Sequence, residues 1–308
     1  MIELRNILFP TDFSECSRQA LSYAAKLATE HGAELHVMHA IVLHEDDPHD
    51  PAHHLPDPQE IRNVLEKLAE KRMGALVQEH DIPDLVLTQV HRRGVSPAPP
   101  IVEYAREADV DLIVMGTHGR RGVRRLLMGS VAAEVVRMAP CSVLTVHGSR
   151  GSEPVGDFRH ILMPVDFFLP SIGALGVACA FAKQYGSDLH IAHVLGDVLH
   201  PAFYNMGATR PSDLQPEILS ETTSALESLL REAGNCGNIQ TECHVLEGHP
   251  AREIVRFARD HTTDLIVLAS HGHTGIKHVL LGGTAEKVIS GVECPVLVVK
   301  VSGKPLFS

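Results

Sequence analysis

The sequence has no CxxC cysteine pair, no long apolar run and no excess of positive charge. None of its six cysteines (16, 141, 179, 236, 243 and 294) forms a CxxC pair, so we expect reduced, mostly buried thiols in a cytosolic protein. No apolar run approaches the ~20 residues that a membrane helix needs. Residues 1–7 lead directly into a predicted strand, so we expect no signal peptide. The predicted location is cytoplasmic.

The charge balance is acidic. Lys and Arg number 27 against 38 Asp and Glu, giving a formal net charge of -11. Affinity for nucleic acid comes largely from basic side chains that neutralise phosphates, so we expect no nucleic-acid partner and no membrane partner. With 21% charged and 44% hydrophobic residues, the composition is typical of a globular protein.

The sequence contains the same unit twice. Residues 6–12 align with residues 160–166 at an offset of 154, whereas later landmarks such as Asp111 and Asp264 align at 153. The second copy has therefore lost one residue. The repeat predicts two domains, which we place at residues 1–147 and 155–302, joined by a flexible connector at 148–154.

Apolar runs alternate with helical patterns in both copies. Strands are predicted near 4–9, 34–40, 85–91, 111–116 and 142–147, and again near 159–164, 188–195, 240–246, 264–269 and 295–300. Helices are predicted in the first copy near 14–31, 58–80, 97–108 and 130–138. This alternation predicts an α/β fold in which each copy has a five-stranded parallel sheet with helices on both faces. Ligands bind such sheets beyond the carboxyl ends of the strands.

A glycine pattern follows the fourth strand of each copy. The first copy has Gly116-Thr117-His118-Gly119 and, nine residues later, Gly129-Ser130. Glycine lets the backbone approach a ligand closely, and a loop that leads into a helix offers N–H groups to phosphate. The second copy has Ala269-Ser270-His271-Gly272 and Gly282-Gly283. The chain is therefore predicted to carry one intact nucleotide site and one altered site.

These motifs resemble the universal stress protein family in its tandem form. The resemblance rests on the segments 10–14 and 39–40, the segment 108–119 and the Gly-x2-Gly-x9-Gly-Ser spacing, and it covers nearly the whole chain. It implies Rossmann-like domains of the adenine nucleotide alpha hydrolase type. The spacing marks the family members that bind ATP. In single-domain relatives the last strand makes the dimer contact, so residues 143–146 and 296–299 are expected to pair as an internal pseudo-dimer.

The resemblance also implies which residues hold the expected cofactor, ATP, with or without Mg²⁺. The ionised carboxylate of Asp12 accepts hydrogen bonds, which suits ribose hydroxyls or an amino group. Ser130 opens a helix and offers a hydroxyl beside N–H groups. The residues implied for the adenine and ribose wall are Pro10, Thr11, Asp12 and Ala40, and those implied for the floor are Met115 and Gly116. The residues implied to hold the phosphates are His118, Gly119, Gly129, Ser130 and Val131.

The second copy departs from the pattern at two positions. Ala269 adds a Cβ, and Gly283 removes a hydroxyl unless Thr284 replaces it. Loss of one donor to a charged group costs about 1.5–3 kcal/mol, or roughly ten- to a hundredfold in affinity. The second copy is thus expected to bind weakly, bind something else or be structural. Its weaker site residues are Asp166, Val194, Gly272, Gly282 and Thr284.

Each motif residue also has a structural interpretation. Asp12 could cap the helix that begins near Ser14, Gly129-Ser130 could be a helix start alone, and His118 could be a surface histidine. The basic residues Arg120, Arg121, Arg124 and Arg125 would favour a triphosphate, or could form a solvated face or a patch for a protein partner.

The sequence contains 21 histidines but no tight metal-ligand spacing, and we predict no metal site. His44, His49, His53 and His54 cluster with carboxylates in one segment, which leaves zinc binding there as an alternative. Pro and acidic residues fill that segment, which is typical of an exposed loop.

The function predicted from the resemblance is an ATP-binding stress-response regulator or sensor rather than an enzyme. A slow ATPase or nucleotidyl transferase is an alternative, with His118 as the base. A nucleotide-free interaction protein is a third. Further association of two chains and an unidentified protein partner are compatible with each. No G-x-G-x-x-G follows the first strand, which argues against a dinucleotide enzyme.

Overall fold

A computed structural model describes residues 2–42, 58–79, 85–118, 128–148, 156–196, 210–233, 236–237, 239–270, 282–300 and 303–306. For residues 58–62 the description covers the backbone alone. No helix within these ranges is both long and apolar enough to cross a bilayer.

The first half contains five strands and four helices in the described ranges, close to the predicted positions. The strands are β1 (Asn6–Pro10), β2 (Glu34–Val42), β3 (Leu87–Gly94), β4 (Leu112–Gly116) and β5 (Ser142–Val146). The helices are α1 (Glu15–His31), α2 (Pro58–Glu79), α3 (Ala98–Glu107) and α4 (Ser130–Met138).

The second half repeats this order. Its strands are β6 (His160–Pro164), β7 (Asp188–Leu195), β8 (Thr241–Glu247), β9 (Leu265–Ala269) and β10 (Val296–Val299). Its helices are α5 (Leu169–Tyr185), the short α6 (Pro211–Leu214), α7 (Ile218–Glu232), α8 (Pro250–Asp260) and α9 (Gly283–Gly291).

All ten strands form one sheet in the order β3-β2-β1-β4-β5-β10-β9-β6-β7-β8. Pairing is parallel within each half, as predicted, and antiparallel only between β5 and β10, where Leu144 lies opposite Leu297. The expected pairing of the two last strands is confirmed. The sheet is larger than the two separate five-stranded sheets that the sequence predicted, because this pairing joins them edge to edge.

The core has one layer on each face of the sheet, because successive strand side chains point to opposite faces. Ile7 and Phe9 of β1 belong to the layer that also contains buried residues of α1, α2, α5 and α7, whereas Leu8 belongs to the layer that contains buried residues of α3, α4, α8 and α9. Each layer runs through both halves of the chain. The two halves of the chain therefore share both core layers.

The prediction of six reduced thiols is wrong for Cys179 and Cys236, whose sulfurs are bonded to each other. Cys179 lies in the buried face of α5, and Cys236 follows α7, so the bond ties α5 to the segment after α7 within one core layer. Cys16, Cys141 and Cys294 are buried thiols, as predicted, and Cys243 is a half-buried thiol.

Candidate functional site

The two parts of the sequence motif lie at the carboxyl ends of two neighbouring strands in the first half of the sheet. β1 and β4 are parallel neighbours, and the sheet order reverses between them because β2 lies on the other side of β1. Residues 11–14 follow β1, and residues 117–118 follow β4. Both loops therefore lie at the switch point, where parallel sheets bind ligands.

A hydrogen-bonded turn after β1 holds Asp12. Thr11 is 4% exposed, and its hydroxyl lies 2.9 Å from Ser17 Oγ and accepts from the Phe13 N–H at 3.0 Å. Asp12 Oδ1 accepts from the Ser14 N–H at 2.9 Å. Ser14, not Asp12, is the N-cap of α1, because its Oγ accepts from the Ser17 N–H. The capping interpretation of Asp12 is thus replaced by a local Asx turn.

The end of β2 supports this turn. His39 Nδ1 lies 2.7 Å from the Thr11 carbonyl oxygen, and the His39 ring lies 4.6 Å from the Phe13 ring. Ala40 follows, half-buried and in register with Arg92 of β3. Pro10 ends β1 opposite Met38. The residues predicted for the adenine and ribose wall, Pro10, Thr11, Asp12 and Ala40, therefore lie at or near the carboxyl ends of the neighbouring strands β1 and β2.

Gly116 lacks a side chain for a packing reason. A Cβ at this position would lie 2.8 Å from Cys16 Sγ and 3.1 Å from the Cys16 carbonyl carbon. The close neighbour is therefore the start of α1, not the ligand space that the sequence suggested. Met115, the preceding residue, is 5% exposed and packs in the core.

The start of α4 lies against the loop after β4. Gly129 is its N-cap and donates its N–H to the Thr117 carbonyl at 2.8 Å, and a Cβ there would lie 2.9 Å from the same oxygen. The first intrahelical donor is Ala133, which bonds to Gly129 O. The N–H groups of the first turn, including those of Ser130 and Val131, precede it and are those a helix leaves for a ligand or water.

Two histidine rings lie beside this helix start. His118 Nδ1 is 2.9 Å from Thr117 Oγ1, and the His118 and His147 rings are 5.4 Å apart. His118 Nε2 and both ring nitrogens of His147 are buried with no hydrogen-bond partner among the described residues. Burial, aided by the nearby His118, lowers the pKa of His147 to about 4. The structure therefore groups polar ring atoms next to a helix N-terminus.

His147 was not predicted from the sequence, although it follows β5 directly. Its counterpart at the repeat offset of 153 is Lys300, so the repeat gave no signal of a shared role. Ser290 was also missed. Its Oγ accepts from the Met128 N–H at 3.1 Å, so α9 of the second half contacts the residue before Gly129. Only the pairing of β5 with β10 brings these segments together.

The altered motif of the second half occupies equivalent positions. Gly282 is the N-cap of α9, with backbone angles close to those of Gly129, and Thr284 is exposed in the first turn. Val194 lies in β7. Asp166 Oδ1 accepts from the Phe168 N–H and from the Ser171 hydroxyl. That second bond forms because the counterpart of Thr11 is a valine, which cannot engage this serine.

Several predicted residues lie outside the described part of the chain. They are Gly119, the four arginines 120, 121, 124 and 125, Gly272, the histidine-rich segment 44–54 and residues 149–154 of the predicted connector.

Comparisons with known proteins agree over both halves. A sequence model described as the universal stress protein family matches residues 3–147 and again residues 157–300. A universal stress protein of Mycolicibacterium smegmatis is 26% identical over 301 residues, covering 96% of each chain. Universal stress protein MJ0531 of Methanocaldococcus jannaschii is 36% identical over 144 residues, which are 46% of this chain and 82% of that protein. A universal stress protein structure from Archaeoglobus fulgidus is 22% identical, with a TM-score of 0.72 over 96% of this chain and 98% of that one.

Proposed function

Because this chain belongs to the universal stress protein family, we propose that it is a nucleotide-dependent regulator of the stress response whose first domain binds ATP. We take the domains as residues 1–147 and 155–302. The observation that carries the proposal is a group of buried ring nitrogens of His118 and His147 beside the N-terminus of α4. These nitrogens have no hydrogen-bond partner among the described residues.

The chemistry of that group suits a phosphate chain. The first-turn N–H groups of α4 and the partial positive charge of the helix N-terminus favour an anion. A ring N–H of His118 or His147 would donate a charge-assisted hydrogen bond to a phosphate oxygen, and burial strengthens such a bond. Asp12, across the switch point, supplies the acceptor that a ribose hydroxyl needs. Phosphate at α4 and ribose at Asp12 would span the edge between β4 and β1.

A pair of matched variants tests the phosphate end. Ser130→Asp adds a negative charge at an exposed first-turn position, where a carboxylate suits the helix dipole and keeps the fold. Titration calorimetry should show ATP binding weakened by roughly ten- to a hundredfold. Gly283→Asp makes the same change at the equivalent position of α9, where a Cβ meets no atom within 4 Å. It should leave ATP binding by the first domain unchanged; equal ATP affinity in both variants and the wild type would contradict the proposal.

We propose that the second domain binds ATP more weakly or serves as structure. Its Asp166 carboxylate already accepts two local hydrogen bonds, and Gly283 has no hydroxyl. Three exposed or partly exposed apolar residues, Phe168, Leu169 and Ile172, surround the start of α5, where the first domain has Ser14, Glu15 and Arg18. This rim is less suited to a charged ligand.

A sensor role fits the site better than catalysis. The sequence has no Walker lysine loop, and phosphoryl transfer needs a metal and a group that positions water. The low pKa of His147 leaves that ring neutral at pH 7, as a hydrogen-bond donor rather than a cation. Association of two chains, or with another protein, would give such a sensor its output, and sedimentation with and without ATP tests both.

Cytoplasmic location is part of the proposal. Four cysteines outside the disulfide, three of them buried, are consistent with it. The Cys179–Cys236 bond points the other way, because disulfides are rare in reducing compartments. Alkylation of thiols in intact cells before lysis, continued once the chain is denatured, distinguishes the two locations. If the protein is cytoplasmic, Cys179 and Cys236 should both be alkylated. If the pair is protected, the protein lies in another compartment.

A further inference from the structure

A group of metal-ligand side chains lies on the second domain, away from the nucleotide motif. His190 is near the start of β7, and Glu242 and His244 are near the start of β8. His190 is in register with Glu242. Because strand side chains alternate between faces, Glu242 and His244 point to the same side. The group lies at the amino ends of these strands, whereas the nucleotide motif follows the carboxyl ends of β6 and β9.

The three donor atoms are already at ligand spacing. His190 Nδ1 is 3.1 Å from His244 Nε2, and Glu242 Oε2 is 3.7 Å from each of these nitrogens. In a tetrahedral zinc site with bonds near 2.0–2.1 Å, ligand atoms are about 3.3 Å apart. The donors therefore need to move by only a few tenths of an ångström to bind one ion.

His261, at the end of α8, lies next to the same group. Its ring is stacked on Phe257 at 3.8 Å and lies 5.7 Å from the His190 ring and 5.9 Å from the His244 ring. Its Nδ1 is 3.1 Å from the Phe257 carbonyl oxygen. Donation of the Nδ1 proton to that oxygen leaves the lone pair on Nε2, which is the tautomer that a metal requires.

The first domain shows what the same positions look like without this group. His36 is the counterpart of His190, but the counterparts of Glu242, His244 and His261 are Thr88, Val90 and Ala108. His36 Nδ1 is instead 2.7 Å from the hydroxyl of Tyr104, which stands where the second domain has Phe257. In the first domain the fold forms with one histidine and a tyrosine partner at these positions. The additional donors of the second domain are therefore not required by its packing.

We propose that His190, Glu242 and His244 bind a divalent transition metal of the zinc class, with His261 beside the fourth coordination position. Two imidazoles and one carboxylate are a ligand set that suits zinc. His190 and His244 are largely buried while Glu242 is half exposed, so the site has a buried base and an open side.

The test uses the full-length protein after removal of metals with a chelator. Titration with Zn²⁺, and with Co²⁺ followed by its visible absorption, should show one site per chain with tetrahedral Co²⁺ bands. Glu242→Gln, at an exposed position, and His244→Gln should each weaken that binding by more than about tenfold. His36→Gln is the matched control from the first domain and should leave binding unchanged. A chain with His44, His49, His53 and His54 all changed to Gln should keep the site.

Two results would overturn the proposal. One is the absence of a tetrahedral Co²⁺ spectrum in the wild type. The other is unchanged Zn²⁺ stoichiometry and affinity in both Glu242→Gln and His244→Gln, which would assign any bound ion to other residues and leave the group as a hydrogen-bonded pair of histidines beside a carboxylate.

Discussion

Glycine at position 116 is required by its contact with the first turn of α1. The Cβ of any other residue would come within 2.8 Å of Cys16 Sγ and within 3.2 Å of two Cys16 backbone atoms. The sulfur is further fixed because it donates to the Val146 carbonyl at 3.3 Å. The counterpart of Cys16 in the second domain is Pro170, and there Ala269 is accommodated at the end of β9.

Gly116→Ala should therefore destabilise the protein whether or not ATP is present. Overpacking of this kind lowers the free energy of unfolding by about 1–3 kcal/mol, which urea denaturation measures. Gly74→Ala in α2 is the control: its Cβ meets no atom within 4 Å, and it should raise stability by about 0.5–1 kcal/mol. Equal stability of Gly116→Ala and wild type would contradict the packing explanation.

The buried His147 should make stability depend on pH. Above pH 6.5 its ring is neutral in both the folded and the unfolded state. As pH falls from 6.5 to about 4, His147 becomes protonated in the unfolded chain but stays neutral in the folded chain. The free energy of unfolding therefore decreases through that pH range. The loss is about 3 kcal/mol in all.

His147→Gln should flatten this part of the pH profile relative to wild type, measured by urea denaturation between pH 7.5 and 4. His249→Gln, at an exposed position, is the control. If the wild type and His147→Gln lose stability in parallel as pH falls, the ring is not buried as described.

The helices that begin the two domains differ in their caps. Ser14 accepts from the Ser17 N–H at the start of α1, whereas the N-cap of α5 is Phe168, which has no side-chain acceptor. Ser14→Ala should lower the free energy of unfolding by about 1 kcal/mol. The reciprocal change, Phe168→Ser, should raise it by a similar amount. Thermal denaturation of both variants measures this, and a neutral Ser14→Ala would mean that the cap is not used.

The disulfide should contribute stability through the loop that it closes. Cys179 and Cys236 are separated by 57 residues, so in the chain-entropy description the bond is worth about 4 kcal/mol. The oxidised wild type should lose about this much on Cys236→Ser. Titration of the denatured, unreduced protein should find four thiols, and six after reduction. Six thiols before reduction would show that the bond is absent from the isolated protein.

Elements could be predicted from the sequence because each depends on a local pattern. β4 and β9 are continuous apolar runs, and α1 has a regular apolar face, so their bounds were placed within one or two residues. Contacts that depend on the register of distant strands could not be predicted. His190 and His244 meet only because β7 pairs with β8, and Met128 meets Ser290 only because β5 pairs with β10. The alternation Glu242-x-His244 was the one available signal of the metal-ligand group.

At the scale of the whole molecule, the domains are duplicated in fold but not in chemistry. They share one ten-stranded sheet and two continuous core layers. Contacts beyond the sheet also join the two halves of the chain: Lys304 bridges to Asp109 and Asp111, and Tyr185 donates to Glu30. On this common scaffold the first domain has the intact nucleotide motif, and the second has the histidine and carboxylate group.

This asymmetry makes nucleotide stoichiometry the most direct test of the central claim. Mass spectrometry of the small molecules released on acid denaturation, combined with calorimetric titration of stripped protein, counts the sites. We expect about one ATP per chain, with binding weakened in Ser130→Asp and retained in Gly283→Asp. Release of no nucleotide together with no heat of ATP binding, or two equally tight sites per chain, would contradict it.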